Sequence, residues 1–415
     1  MNIYIIVDVY PHPFKNYFDT QFGEFINAGH SVHVFSVGKL RGGDYSHLVP
    51  KGVKITQLET LRTRPWLIAW QGIKRLFNAP TRSFEAVALG MRHRLGLRET
   101  TKLVMWAVQL PAKPPDLFFA HNLAAARRFW FVRELHPDIP YVFYYHGGEV
   151  PGVPTIEDEA ARRAFSAPDI VFTNTQFSRL DGIKRNCPPE KLCILPVGFR
   201  ISDYQPQASR PYRQGGTLRF LTLGRASPEK GFSISLEAMR QLVYERGFTG
   251  FHYVIVGDGP DLSNMRKLVE NYGLSKHVTL FGWATREQVA EQMTLADVFI
   301  LPSLEINNWS ENQACVTQEA MLMRVPVIAS TIGGVRESIA PELRGWMFEP
   351  GNSAQLADRL IAISKCSAAD LEALGRRGRE FAERGYDVVT LNQRLLALAR
   401  TRTPVSEASV VTSSP

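Results

Sequence analysis

Residues Asp297–Met321 read DVFILPSLEINNWSENQACVTQEAM. Four apolar residues, Val298–Leu301, run up to Pro302-Ser303, which is the pattern of a short strand buried on both faces of a parallel sheet. A polar loop then carries Glu311, and Glu319 follows eight positions on, in a helical run. Eight residues leave two side chains about 80° apart around a helix, so these carboxylates need not share a partner. Glu311 is placed in the loop at the strand end and Glu319 in the helix behind it. A carboxylate that accepts two adjacent hydroxyls is a natural reader of a ribose. The alternative for each is a surface or capping carboxylate.

The same unit recurs on either side. Upstream, Arg219–Leu223, His252–Val256 and His277–Phe281 read as strands, with helices over Ser233–Tyr244 and Asp261–Tyr272; downstream, Val325–Ala329 is a further strand. In the first half the candidate strands are Ile3–Val7, Ser31–Ser36, Asp116–Ala120, Tyr141–Tyr145 and Ile170–Thr173. A helix over Thr20–Ala28 closes at Gly29. Strand, helix and strand in alternation imply right-handed parallel crossovers and an α/β fold in each half. Between them, Ile194–Gln214 changes texture, with Pro196, Pro206 and Pro211 before Gln-Gly-Gly, and reads as a linker. Ligands then belong in the cleft at the carboxyl ends of the strands.

Two further motifs lie at such ends. Gly224-Arg225 closes a strand and Lys230-Gly231 follows, so two cations stand five apart after a glycine turn. That suits a diphosphate, with Arg225 as a planar fork and Lys230 as a point charge, while Ser227 and Glu229 are candidate caps for the following helix. A solvated turn is the plain alternative. Gly257 in Val-Gly-Asp-Gly-Pro permits close approach of a ligand. The run is not G-x-G-x-x-G, because Ser263 and Asn264 stand where a third glycine is needed, which argues against a dinucleotide-binding dehydrogenase.

Composition sets the frame. The 415 residues are 45% hydrophobic and 21% charged, ordinary for a globular protein of two or three domains. Cys187, Cys193, Cys315 and Cys366 form no CxxC pair and read as reduced thiols, with neither disulfide nor structural zinc. The opening MNIYIIVDVY lacks a basic region and a cleavage site and reads as a strand, not a signal peptide. No run of about 18 uncharged apolar residues marks a membrane span. The net charge of +8 is concentrated between Arg62 and Lys102, where Trp66, Trp70, Ile73 and Phe77 recur at helical spacing among basic residues. Such a helix either covers a domain core or lies on an anionic membrane surface; the basic charge alone is weak support for a nucleic-acid partner.

The segment from Arg219 to about Arg359 resembles the second domain of the retaining glycosyltransferases of the GT-B fold, in the large family 4 that includes bacterial mannosyltransferases and sucrose synthases. The matching text is LTLGRASPEKG, VIVGDGPDLSNMRKLVENYGLSKHVTLFGW, ADVFILPS, ENQACVTQEAMLMRVPVIAS and IGGVRESI. In the first half AGHSVHVFSVG, PDLFFAH, YVFYYHGGEV and FTNTQFSR match the acceptor-side domain more loosely, and VGFRISDYQP resembles the linker. The resemblance implies two Rossmann-like α/β domains facing each other across a cleft. It implies an acceptor-side domain over 1–198 and a nucleotide-sugar domain over 199–385. A helix over 386–402 would return to the first domain, and 403–415 would form a disordered tail.

It also implies roles. Arg225 and Lys230 correspond to the pair on the donor pyrophosphate, Glu311 to the glutamate at the transferred sugar, and Glu319 to the glutamate on the ribose. His146 corresponds to a histidine facing the sugar from the first domain. Gly224 and Gly257 fall on the donor side. From their own positions, His12 and Phe14 in the first loop are acceptor-side candidates, and His121, which ends a strand, either lines the cleft on that side or has a structural role. Gly333, Gly334 and Glu337 are expected to shape a turn near the donor. Two stretches depart from the pattern: Glu311-Asn312-Gln313-Ala314 replaces Glu-Gly-Phe-Gly, and Val9-Tyr10-Pro11-His12-Pro13 lacks the usual glycine pair. The expected activity is retaining transfer of a hexose from a UDP- or GDP-sugar to a lipid-linked or cell-envelope glycan, such as an exopolysaccharide. No cofactor and no metal is expected, since no D-x-D motif follows an apolar strand. The expected location is the cytoplasm, with peripheral attachment to the inner face of the cell membrane. The alternatives are a nucleotide-sugar epimerase and an inactive nucleotide-sugar-binding module.

Overall fold

The computed structural model describes residues 1–12, 16–39, 45–58, 80–147, 159–206, 212, 216–307 and 309–404. Phe14 and the Trp-bearing stretch from Arg62 to Phe77 lie outside the described residues.

Strands β1 (Asn2–Val9), β2 (Ser31–Gly38), β3 (Lys54–Gln57), β4 (Leu117–Ala120), β5 (Tyr141–Tyr145), β6 (Ile170–Thr173) and β7 (Leu192–Ile194) form one sheet in the order β3-β2-β1-β4-β5-β6-β7. Strands β8 (Leu218–Leu223), β9 (Phe251–Val256), β10 (Val278–Gly282), β11 (Val298–Leu301) and β12 (Val327–Ala329) form a second, ordered β10-β9-β8-β11-β12. Every pairing in both sheets is parallel. Strand order reverses beside β1 in the first sheet and beside β8 in the second, so each sheet has its switch point where the expected motifs lie.

The continuous apolar strands follow from burial on both faces. Tyr4 and Ile6 of β1 pack into one core cluster, while Ile3, Ile5 and Val7 pack into another on the opposite face. Leu221 and Leu223 of β8 divide from Leu218 and Phe220 in the same way. Two strands escape the sequence reading. β3 reads Lys-Ile-Thr-Gln, and its only apolar residue, Ile55, is 38% exposed. It forms because β2 offers an open edge, and the His33 ring meets Thr56 Oγ1 at 2.8 Å. β7 starts just ahead of the stretch read as linker and pairs with β6.

The chain passes between the sheets twice, and the passages lie side by side. Phe199 N–H donates to the Tyr386 carbonyl at 2.7 Å, and Val388 N–H donates to the Phe199 carbonyl at 3.0 Å. Gly198 allows this, since a Cβ there would stand 2.6 Å from Val388 Cα. The helix Val388–Thr401 then packs Leu391, Leu395, Leu396, Leu398 and Ala399 into the core of the first half, beside Phe22 and Phe25. Among the described residues no helix is long and apolar enough to cross a membrane.

Candidate active site

The turns at the carboxyl ends of β8, β9 and β11 are held together by glycines. A Cβ on Gly257 would stand 1.7 Å from the Gly224 carbonyl oxygen, and one on Gly259 would stand 2.4 Å from that of Ala226. The β8 and β9 turns can touch only with glycine there. Gly231, at φ +64°, lies where a Cβ would be 1.9 Å from the Pro302 carbonyl oxygen, which seats the Lys230 turn against the end of β11.

That seating brings Lys230 and Glu311 together. Lys230 Nζ donates to Glu311 Oε1 at 2.5 Å, and Ser303 Oγ donates to the same oxygen at 3.0 Å. The ammonium also lies 5.0 Å from the centre of the Trp309 ring. Glu311 is buried, 7% exposed, so its charge is offset within the site and not by water. Arg225 is exposed and makes no ion pair among the described residues. Ser227 and Glu229 do not cap the helix Phe232–Tyr244 as expected. A turn of 3-10 helix over Pro228–Lys230 intervenes, Gly231 takes the cap position, and Ser227 Oγ donates to Glu229 Oε1 at 2.6 Å instead.

Glu319 lies apart from this pair, on the helix Cys315–Leu322. It accepts a hydrogen bond from the Tyr204 hydroxyl at 3.3 Å. Burial pushes its carboxyl up from 4.5 to about 7, against opposing pulls from that hydroxyl and from Arg286. Arg286 also faces the first half, where its guanidinium lies 3.7 Å from Asp19. Burial raises Asp19 to about 6, while the Tyr10 hydroxyl and Arg286 pull it down.

His146 follows β5 directly. Its Nε2 is 3.1 Å from Nδ1 of His121, and its Nδ1 is 3.2 Å from Asn174 Oδ1. His121 Nε2 meets Gln21 Oε1 at 2.6 Å, and Gln21 donates its amide N–H to Asn392 Oδ1 at 3.2 Å. A chain of side-chain contacts thus links the C-terminal helix, through Asn392, Gln21 and His121, to the His146 ring. Of the two roles weighed for His121, its packing fits the structural one better than acceptor contact: it is 1% exposed, packed at 4.4 Å from Phe18 and stacked on Tyr144 at 5.4 Å. His12 ends the described part of its loop and is half-buried.

The Gly333-Gly334-Glu337 run does two things. A Cβ on Gly333 would be 1.9 Å from the Glu311 carbonyl oxygen, so glycine there lets its turn pack on the Glu311 backbone. Glu337, however, faces the first half, where it accepts from the backbone N–H groups of Gln176 and Phe177 at 2.5 and 2.9 Å. Asn312 and Gln313 also reach the first half, at His146 and Val197. The sequence reading registered Asn312 and Gln313 only as departures from a motif. The side chains' small size and polarity could not say which backbone they would meet.

Comparison with known proteins gives the family. Residues 207–381 match the family model described as "Glycosyl transferases group 1", and residues 16–198 match "Glycosyl transferase 4-like domain". The chain belongs to the group 1 glycosyl transferases. The chain is 30% identical over 217 residues to the putative colanic acid biosynthesis glycosyltransferase WcaL of Escherichia coli (strain K12), an alignment covering 52% of each chain. It is 26% identical over 277 residues to the amylovoran biosynthesis glycosyltransferase AmsK of Erwinia amylovora, covering 65% of this chain and 67% of that one. The match to WcaL thus spans about half of that relative's length. Among solved structures, Anabaena HepE in complex with UDP superposes with a TM-score of 0.69 at 19% identity, covering 97% of this chain and 100% of that one. The fold is GT-B: two Rossmann-like parallel sheets on either side of a cleft.

Proposed function

We propose that this glycosyltransferase moves a hexose from a UDP- or GDP-sugar to a glycan acceptor, with retention of anomeric configuration. The observation that carries the reading is the Lys230–Glu311 pair, joined at 2.5 Å where the turns after β8 and β11 meet, with exposed Arg225 in the same turn as Lys230 and with Asn312, adjoining Glu311, bonded to the His146 carbonyl. Cleaving the sugar–phosphate bond leaves an oxocarbenium-like sugar and a charged diphosphate. Arg225 and Lys230 stabilise the diphosphate with no divalent ion in the scheme. Glu311 lies beside the anomeric carbon and Glu319 holds the ribose. The acceptor hydroxyl attacks from the face that the diphosphate leaves. A phosphate oxygen takes the hydroxyl proton, the new C–O bond forms on that face, and no protein base is consumed.

The nucleotide and acceptor classes draw support from relatives. HepE has been solved with UDP and with UDP-glucose. The names of WcaL and AmsK assign them to colanic acid and amylovoran biosynthesis. A 27% identical mycobacterial relative is a GDP-mannose-dependent phosphatidylinositol monomannoside mannosyltransferase. An acceptor in exopolysaccharide or lipid-linked glycan assembly fits these names. An anionic membrane surface is the matching partner. The described helices Pro80–Arg92 and Leu97–Gln109 expose Phe84, Met91 and Leu97 among Arg92, Arg94 and Arg98. The purified protein, incubated with a panel of UDP- and GDP-sugars, should release nucleoside diphosphate from one or a few of them, and should still do so in EDTA. Binding without any release would mark an inactive module, and an inverted product anomer by NMR would rule out retention.

A further inference from the structure

The turn between β6 and the helix Gln176–Lys184 makes three successive contacts. Asn174 meets the His146 ring at 3.2 Å. Thr175 Oγ1 donates to Asn312 Oδ1. The backbone N–H groups of Gln176 and Phe177 donate to Glu337. The last two contacts cross the cleft. The other end of the Asn312 amide, Nδ2, donates to the His146 carbonyl at 2.5 Å. One side chain in the second half therefore holds two points of the first: the end of β5, which carries His146, and the turn that orients the His146 ring.

We propose that Asn312 is a positioning residue for the transfer step, and that it sets the His146 side of the cleft against the adjoining Glu311. The proposal rests on the transfer activity proposed above. A carboxamide presents a donor and an acceptor in one plane; the His146 carbonyl can be met only by the N–H end, which leaves the oxygen to accept from the Thr175 hydroxyl. A carboxylate would accept from Thr175 but turn an oxygen toward the His146 carbonyl. The backbone has made room for the contact. Gly147 is at φ +93°, and a Cβ there would press on Asn312 Nδ2 at 3.3 Å. On the other side a Cβ on Gly334 would stand 2.7 Å from Thr175 Oγ1, so its absence lets the loop bearing Glu337 close.

Glu337 supplies a second anchor, because one contact leaves a rotation free. Thr175 already accepts from the Ser178 N–H in a capping box, so Glu337 serves the first two amides of the helix, which no side chain of the first half satisfies among the described residues. Together the two residues fix both the separation and the angle of the cleft walls. Small displacements at such a distance are costly to a reaction that needs near-attack geometry.

The test uses the full chain. Asn312→Asp should lower kcat for donor hydrolysis by about tenfold or more, and leave the Kd for UDP or GDP within about twofold of wild type. Amide hydrogen exchange at Gln176 and Phe177 should quicken in both Asn312→Asp and Glu337→Gln. A wild-type kcat in Asn312→Asp overturns the proposal. So does a rise in nucleotide Kd that matches the fall in kcat, because the residue would then act in donor binding. If Asn312→Asp does not fold, Asn312→Ser is read by the same criteria. If wild type releases nucleotide from no donor, the transfer reading fails on its own. Exchange then decides for the clasp, with unchanged rates at Gln176 and Phe177 overturning it and faster rates upholding the coupling.

Discussion

At Glu311 two cationic uses compete for one lysine. The expected partner of Lys230 is a diphosphate, yet its ammonium is already on Glu311. The two cations therefore separate experimentally. Arg225→Ala should weaken nucleotide diphosphate binding by about 1.5–3 kcal/mol, the range for a charge-assisted contact, with no change in Tm, because Arg225 is exposed. Lys230→Ala should weaken binding as well and also lower Tm, since it strands a buried carboxylate. Calorimetric titration and thermal melting check both. Glu319 gives a pH signature. Its carboxyl is raised from 4.5 to about 7 in the folded protein, so the folded state holds the proton longer than the unfolded chain does. Stability from this group is therefore highest below pH about 4.5 and falls as pH climbs to about 7, and Glu319→Gln should flatten that slope in denaturant titrations. A ribose hydroxyl donates best to the ionised form, so nucleotide affinity should rise with pH through the same region in wild type and not in Glu319→Gln.

Among elements, the strand-end turns carry the tightest tolerances. Gly257→Ala puts a carbon 1.7 Å from the Gly224 carbonyl oxygen, which only a parting of the β8 and β9 turns relieves. The expected cost is about 3 kcal/mol or more. Gly345→Ala meets nothing within 4 Å and should melt like wild type. Equal melting of both variants would mean that the turns are not packed as described. The C-terminal helix is a second such element. Deleting 388–404 removes Leu391, Leu395, Leu396 and Leu398 from the core of the first half. At about 1.5–3 kcal/mol per buried leucine, that loss rivals the whole stability of a domain. The shortened chain should aggregate or lose its cooperative transition in the first half, and a soluble, fully cooperative product would contradict this packing.

For the whole molecule, the open question is what the basic, apolar side of the first half meets. If it rests on a membrane, the protein should sediment with vesicles containing anionic lipid and not with neutral ones. High salt should release it, because surface attraction is worth about 1 kcal/mol per basic residue and is screened within a Debye length. Replacing Trp66 and Trp70 with Ser should abolish sedimentation and spare donor hydrolysis. Binding that is indifferent to lipid charge, or unfolding of the double variant, would assign the stretch to ordinary core packing.

Local pattern was enough for much of this. Apolar runs closed by Gly or Pro-Ser marked most strands, because a strand buried on both faces must be apolar along its length. Arg225, Lys230 and Glu311 were legible as charged residues just after strand ends, and the family resemblance made them, with Glu319 on the following helix, the expected donor site, because a diphosphate and a ribose need cations and carboxylates near a switch point. The polar edge strand β3 was not legible, since its order comes from a neighbour's open edge and not from its own residues. Contacts between distant residues were equally hidden. Lys230 meets Glu311 across 81 positions and Asn312 meets His146 across 166, distances over which no periodicity carries information. His121 resembled His146 in sequence, each closing an apolar strand, and only packing separated them: both stack on Tyr144, but Phe18 packs edge-on against His121, which is buried, while His146 stays half-buried. Residue type and spacing determined which chemistry the chain could hold; the facing of two sheet ends decided which of those groups meet.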